Sequence, residues 1–213
     1  PDRRRADHTV LGSRADHDAG VVPAEAEAVR QHGARGPLAG LADDEVDLAS
    51  PVRAMLASAC NEILDLEHRI AEAGHQLEAI AERGVDSNIS VKLSALGQKI
   101  DDGFCRDNVE RILTTARRLG NFVRIDMEDA STTDQTLRVY HDLHPRFANF
   151  GVVLQAYMRR TLADVSQLPA VGANVRLCKG IYIEKRTIAF KGYETVRLNF
   201  LQALEKLLTR GAY

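Results

Sequence analysis

From residue 52 onwards the chain alternates between two kinds of apolar pattern. In five segments the apolar residues recur every three or four positions, which is the period of an amphipathic helix. In four others they form short, nearly continuous runs, as in strands buried on both faces. The pattern predicts helices over 63–80, 107–119, 133–143, 160–168 and 193–210, and strands over 88–93, 122–127, 151–156 and 174–178.

Single residues mark several of the predicted boundaries. Gly74 is expected to interrupt the first helix and Gly84 to end it. Pro145 is expected to stop the helix at 133–143, because proline lacks the N–H that a helix needs.

The alternation of strand and helix predicts an α/β fold with parallel strands. Neither GxGxxG nor GxxxxGK[ST] occurs, so the glycine signature of a dinucleotide or P-loop fold is missing. We therefore favour a (β/α) barrel over a doubly wound sheet. Only four βα units are legible, whereas a complete eight-stranded barrel takes about 250 residues.

The first part of the chain follows neither pattern. It contains Pro23, Pro37, several glycines and many Ala, Asp and Arg residues, with one short helix predicted at 24–32. We divide the chain into a weakly structured or atypical segment, 1–60, and a partial barrel, 61–213.

Composition restricts the surroundings and partners of the protein. The formal net charge of −2 gives no general attraction to nucleic acid, and no apolar run reaches the roughly 18 residues of a membrane span. The three cysteines are far apart and form no CxxC pair, which argues against a disulfide framework or a metal site. A reducing, cytoplasmic environment is predicted.

Three charged residues lie inside apolar, strand-like runs: Lys92, Asp126 and Arg176. An unpaired charge is costly in a buried strand. Because the carboxyl ends of parallel strands meet at one edge of the sheet, we expect the three residues to open on a shared site.

Residue type leaves two interpretations for Lys92 and two for Asp126. Lys92 either holds a carboxylate or phosphate, or only extends its ammonium to solvent. Asp126 either belongs to an ion-pair ladder with Arg124 and Glu128, or orients a cation or cofactor as the counter-ion of Arg176 or Lys92. Arg176 has the fixed fork that stabilises negative charge developing at a cofactor edge.

Two further positions fit a heterocyclic, phosphate-bearing cofactor. Gln155 ends its strand with an amide that either meets a ring with imide-like edges or bonds to neighbouring backbone. Lys179 and the backbone of Gly180 suit close approach to a pyrophosphate.

Four segments in this order and spacing resemble the proline dehydrogenase family, in its bacterial monofunctional form. They are Asn-Ile-Ser-Val-Lys-Leu-Ser-Ala-Leu-Gly (88–97), Val-Arg-Ile-Asp-Met-Glu-Asp (123–129), Gly-Val-Val-Leu-Gln-Ala-Tyr-Met-Arg-Arg (151–160) and Val-Arg-Leu-Cys-Lys-Gly-Ile-Tyr (175–182). The resemblance implies a distorted (β/α)8 TIM-type barrel, of which the second to fifth strands are legible. It also implies FAD-dependent oxidation of L-proline to Δ1-pyrroline-5-carboxylate in proline catabolism.

The resemblance assigns a role to each candidate residue. Asp126 and Arg176 would be the catalytic pair, with Arg176 near the flavin N5 edge, while Lys92 and Tyr182 would bind substrate. The FAD would contact Met127, Gln155, Lys179, Gly180 and Ile181. The electron acceptor would be of the quinone type, without a membrane span but compatible with peripheral membrane contact.

The resemblance also has gaps. The family's sixth strand and its arginine-bearing C-terminal helix would lie beyond residue 213, and 1–60 lacks the family's apolar first strand. We therefore expect a fragment with little or no activity by itself. Two other functions stay open: a barrel lyase or aldolase with Lys92 or Lys179 as Schiff-base nucleophile, and a non-catalytic interaction module built on the first predicted helix.

Overall fold

The computed structural model describes residues 50–212. Two compact units divide the chain, Pro1–Leu56 and Ala57–Tyr213, and the second contains the whole sheet. The predicted helix at 24–32, and most of the predicted segment 1–60, lie outside the described residues.

Five α-helices, one 3-10 helix and four strands make up the described part. The helices are α1 (Ser50–Arg83), α2 (Asp102–Arg118), α3 (Thr133–Leu143), α4 (Thr161–Gln167) and α5 (Tyr193–Thr209), with the 3-10 helix at Leu93–Leu96. The strands are β1 (Ile89–Val91), β2 (Val123–Ile125), β3 (Phe150–Gln155) and β4 (Val175–Cys178).

The four strands form one parallel sheet in the order β1-β2-β3-β4. Each strand pairs with the next strand in sequence, with Ile89 opposite Val123, Val123 opposite Phe150, and Val152 opposite Val175. This sequential order, with a helix between neighbouring strands, is that of a (β/α) barrel rather than a doubly wound sheet, whose order reverses. The predicted fold class is confirmed.

The predicted interruption of α1 at Gly74 is wrong. The helix is continuous from Ser50 to Arg83, because Ile70, Ala73 and Leu77 on either side are buried and hold it against the core. Gly84, with φ of 59°, ends the helix as expected.

Two helices begin earlier than predicted: α1 starts at Ser50 instead of residue 63, and α2 starts at Asp102 instead of residue 107. The carboxylate of Asp101 accepts a hydrogen bond from the backbone N–H of Phe104 at 2.8 Å and caps α2. By contrast, α3 has the predicted bounds.

The core lies between the sheet and its helices. All six residues of β3 are buried, and Leu113 and Tyr140 of the adjacent helices are completely enclosed. The thiol of Cys105 is also buried, and burial raises its pKa to about 12. Among the described helices, none combines the length and the apolarity that crossing a membrane requires.

Candidate active site

Lys92, Asp126 and Arg176 lie in one row across the sheet, one residue beyond the paired row of Val91, Ile125, Val152 and Val175. Lys92 directly follows β1, Asp126 directly follows β2, and Arg176 is the second residue of β4. The backbone N–H of Asp126 donates to the carbonyl of Val91 at 2.9 Å, so the parallel pairing of β1 and β2 continues to this point. The sheet therefore brings the three positions to one edge.

Asp126 and Arg176 form an ion pair across β3. Nη2 of Arg176 donates to Oδ1 of Asp126 at 2.5 Å. The Arg176 side chain is 53% exposed and that of Asp126 is 24% exposed, so the pair is open to a ligand. Of the two counter-ions considered for Asp126, the structure selects Arg176.

Lys92 is exposed, and its ammonium makes no hydrogen bond or ion pair with residues 50–212. Together with Asp126 it lines an open groove of about 330 Å³, whose other wall includes His68, Glu72 and Gln76 of α1. An uncommitted cation beside the Asp126–Arg176 pair is available to an anionic group in this groove.

Gln155 connects two loops beyond the strand ends. Its side chain is buried; Nε2 donates to the carbonyl of Glu128 at 2.7 Å, and Oε1 accepts from the backbone N–H of Ile181 at 3.3 Å. Both partners are backbone groups, as in the second of the two interpretations given for Gln155. One N–H and one lone pair of the amide are left for another partner.

The loop after β2 is held from both sides by Ser94 and Glu184, which the sequence did not single out. Glu128 accepts from Oγ of Ser94 at 2.8 Å and from its backbone N–H at 3.1 Å. On the other side, Glu184 accepts from the backbone N–H of Ala130 at 2.7 Å. Met127, directly before Glu128, is buried.

The turn after β4 depends on a steric fit between Gly180 and Tyr157. Gly180 has φ of 112°, and a Cβ on it would lie 2.1 Å from Cδ1 of the Tyr157 ring. Tyr157 is 8% exposed, and its backbone N–H donates to the carbonyl of Lys179 at 2.8 Å. The sequence pattern did not indicate Tyr157, because an aromatic residue after a strand usually belongs to the core.

The exposed part of this turn faces the same edge of the sheet. Ile181 is 86% exposed, and Nζ of Lys179 lies 5.6 Å from the centre of the Tyr193 ring. The pKa of Tyr182 is raised, first by partial burial and then by the negative charges of Glu128 and its neighbours.

The chain matches the family model described as proline dehydrogenase over residues 45–196. The chain belongs to the proline dehydrogenase family. The matched range includes all the proline dehydrogenase positions singled out above, from Lys92 to Tyr182.

Curated relatives carry the same family name. Proline dehydrogenase 2 of Bacillus subtilis (strain 168) is 33% identical over 145 residues, 68% of this chain and 48% of the relative. Proline dehydrogenase of Deinococcus radiodurans is 32% identical over 159 residues, 72% of this chain and 49% of the relative. The chain thus spans about half the length of the curated relatives it matches.

Solved structures support the fold. Proline utilization A from Bdellovibrio bacteriovorus, inactivated by N-propargylglycine, matches with a TM-score of 0.61 and 22% identity over 68% of this chain and 20% of that chain. A mutant of proline utilization A from Bradyrhizobium japonicum matches with a TM-score of 0.59 and 19% identity, over 69% and 19% of the two chains.

Proposed function

We propose that the protein containing these residues oxidises L-proline to Δ1-pyrroline-5-carboxylate with FAD as cofactor. The observation that carries the proposal is the partly exposed Asp126–Arg176 pair, with the uncommitted Lys92 beside it at the carboxyl edge of the sheet. Membership of the proline dehydrogenase family supports the same conclusion.

The residues present suit a flavin dinucleotide. Arg176 and Lys179 are exposed cations at one edge of the sheet, and Ile181 offers an exposed apolar surface next to them. Cations and backbone donors suit a pyrophosphate, whereas an apolar surface suits a flat ring. We assign contacts with the cofactor to Met127, Gln155, Lys179, Gly180 and Ile181. When bound, the flavin supplies the hydride acceptor.

The protein's own groups bind and orient the substrate. The ammonium of Lys92 binds the proline carboxylate, which fixes one end of the substrate, and Tyr182 lines the pocket. The guanidinium of Arg176 stabilises negative charge that develops at the cofactor edge, and Asp126 is its counter-ion. A quinone-type acceptor, a cytoplasmic location and the low activity expected of these 213 residues by themselves stay predictions.

The test uses the longest naturally occurring protein that contains these residues. The purified protein should show a flavin absorbance spectrum and should reduce a redox dye only when L-proline is added. Lys92→Met should raise KM for proline at least about tenfold, because it removes a charge-assisted bond worth about 1.5–3 kcal/mol. Arg111→Met is the matched control, because Arg111 lies on α2 and pairs with Glu67 at the surface.

Two results would contradict the proposal. One is a protein that binds no flavin and oxidises no proline. The other is borohydride trapping of a carbonyl substrate on Lys92 or Lys179, which would favour the lyase or aldolase function instead.

A further inference from the structure

Arg124 is a charged residue on the same face of β2 as Asp126, but the proposed chemistry does not use it. Its guanidinium is half-buried and donates to the carbonyls of Val152 and Asn174, at 3.4 and 3.2 Å, and to Oδ1 of Asn174 at 2.5 Å. All three acceptors are neutral. Burial, and then the positive charge of Arg176, lower the pKa of Arg124. Its position therefore needs an explanation other than an ion pair.

The contact between Arg124 and Asn174 crosses a whole strand. Arg124 lies on β2, Asn174 immediately precedes β4, and β3 runs between them. Opposite Arg124 in register is Gly151. A Cβ on Gly151 would lie 2.2 Å from Nη1 of Arg124 and 2.5 Å from the carbonyl oxygen of Asn174. The absence of a side chain at Gly151 is what lets the guanidinium reach across.

The Asp126–Arg176 pair repeats this arrangement one step nearer the carboxyl edge. Asp126 is two residues after Arg124, and Arg176 is two residues after Asn174, so each lies on the same face as its predecessor. Opposite Arg176 in register is Val153, two residues after Gly151. Two cross-links therefore lie in consecutive layers, each joining β2 to β4 over β3.

The two cross-links differ in strength. The Asp126–Arg176 pair is partly exposed, and ion pairs of that kind fix geometry weakly. The Arg124 fork makes three hydrogen bonds to groups on or beside two strands, two of them to backbone carbonyls that cannot move independently of those strands.

We propose that Arg124, Gly151 and Asn174 form a positioning rung, which sets the spacing of β2 and β4 and thereby presents Asp126 to Arg176. The consequence for catalysis rests on the proposed function, but the coupling between the two layers does not. Arg124 is thus a positioning residue that acts through the Asp126–Arg176 pair.

The coupling is tested by a double-mutant cycle. The free energy of unfolding in urea is measured for variants of the same naturally occurring protein. Asn174→Ala and Asp126→Asn are made singly and together. If the rung positions the pair, the double variant should depart from additivity by about fivefold or more in the unfolding equilibrium constant. Asn174→Ala with Glu67→Gln is the matched control cycle, because Glu67 binds Arg111 on the protein surface. It should be additive within about twofold. Additivity in the first cycle would overturn the proposal.

A second variant covers the case in which Asn174→Ala does not fold. Arg124→Lys keeps the charge and most of the stem but loses the fork. It should show the same coupling to Asp126→Asn. Additivity for that pair would also overturn the rung.

A readout in the flavin-loaded protein separates positioning from general stability. Arg124→Lys should lower kcat about tenfold with KM for proline within about twofold, and should change the visible absorbance band of the bound flavin. In an Arg176→Lys background the same substitution should have little further effect on kcat. An unchanged kcat and flavin spectrum would show that the rung is only structural. If the unaltered protein bound no flavin, the proposed function would fail, and the unfolding cycle would still decide the coupling.

Discussion

Replacing Gly180 by alanine tests the turn that follows β4. Gly180 has φ of 112°, and a Cβ there would lie 2.1, 2.4 and 2.6 Å from three carbons of the Tyr157 ring. The ring is 8% exposed and packs with Met158 and Ala189. Because its neighbours enclose it, the ring cannot simply move aside. The turn must therefore shift, together with the Ile181 N–H that donates to Gln155.

Two separate costs add up in the Gly180→Ala variant. The left-handed backbone costs a residue with a Cβ about 1–2 kcal/mol. Overpacking against an enclosed ring costs about 1–3 kcal/mol more. The free energy of unfolding should therefore fall by about 2–5 kcal/mol, a large part of the stability of a typical domain.

Urea unfolding followed by circular dichroism measures the loss in free energy of unfolding. Making Gly180→Ala in two Tyr157 variants separates the backbone cost from the overpacking cost. In Tyr157→Ala the clash is absent, so Gly180→Ala should cost only the backbone part, about 1–2 kcal/mol. In Tyr157→Phe the ring is kept, so the full cost should return. Gly74→Ala is the matched control: a Cβ there meets nothing within 4 Å. Since Gly74 lies inside α1, its replacement should stabilise by about 0.5–1 kcal/mol.

Two results would refute the reasoning about Gly180. The first is a loss below about 0.5 kcal/mol in the parent protein, which is the range of an ordinary surface substitution. The second is an equal loss in the parent and in Tyr157→Ala, which would leave the contact with the ring without any role.

Three other substitutions probe the packing around the sheet. Leu77→Ala should lower the free energy of unfolding by about 2–5 kcal/mol, measured by urea titration, because the side chain is completely buried in the core. Arg160→Met should cost about 1–3 kcal/mol, because it leaves the buried carboxylate of Asp164 without its partner. Glu128→Gln should cost only about 0.5–1 kcal/mol in the same titration, because its bonds to Ser94 are partly exposed, but it should weaken flavin retention on gel filtration.

The Arg160→Met variant also predicts a pH dependence. Burial raises the pKa of Asp164, and the bonds to Arg160 oppose that rise. A carboxyl group whose folded-state pKa is raised contributes stability at low pH that is lost as pH rises through that value. Without Arg160 the pKa of Asp164 should be raised further. The difference in free energy of unfolding between the parent and Arg160→Met should therefore become smaller as the pH is lowered from about 7 to about 5. A difference that is constant over this interval would contradict the assignment.

Much of the fold was predictable because local and tertiary preferences agree. The helix at Thr133–Leu143 has the predicted bounds, since its apolar residues recur at helical spacing and Pro145 follows the last of them. Helix predictions were wrong where tertiary packing overrode a local signal, or where the signal lay outside the apolar pattern. Gly74 disfavours helix by itself, but the buried residues around it keep α1 continuous. The start of α2 was missed because the capping side chain of Asp101 lies before the apolar pattern begins.

The candidate site was predictable in part. Charge inside an apolar strand indicated Lys92, Asp126 and Arg176, because a strand tolerates a charge only where a partner or a ligand meets it. Which of them pair was not predictable, because Asp126 lies 50 residues from Arg176 in sequence. The pairing depends on the parallel register of three strands, which no local pattern specifies.

The sequence by itself determined the parallel α/β class, the family and the charged positions at the strand ends. Periodicity and motif spacing are local properties, which residue type and order are enough to specify. Only the tertiary structure decided the contacts of Arg124 with Asn174, of Glu128 with Ser94, and of Tyr157 with Gly180. Each of these joins segments that are distant along the chain. They meet only because the strands align in one register, and that register is set by the packing of the whole sheet against its helices.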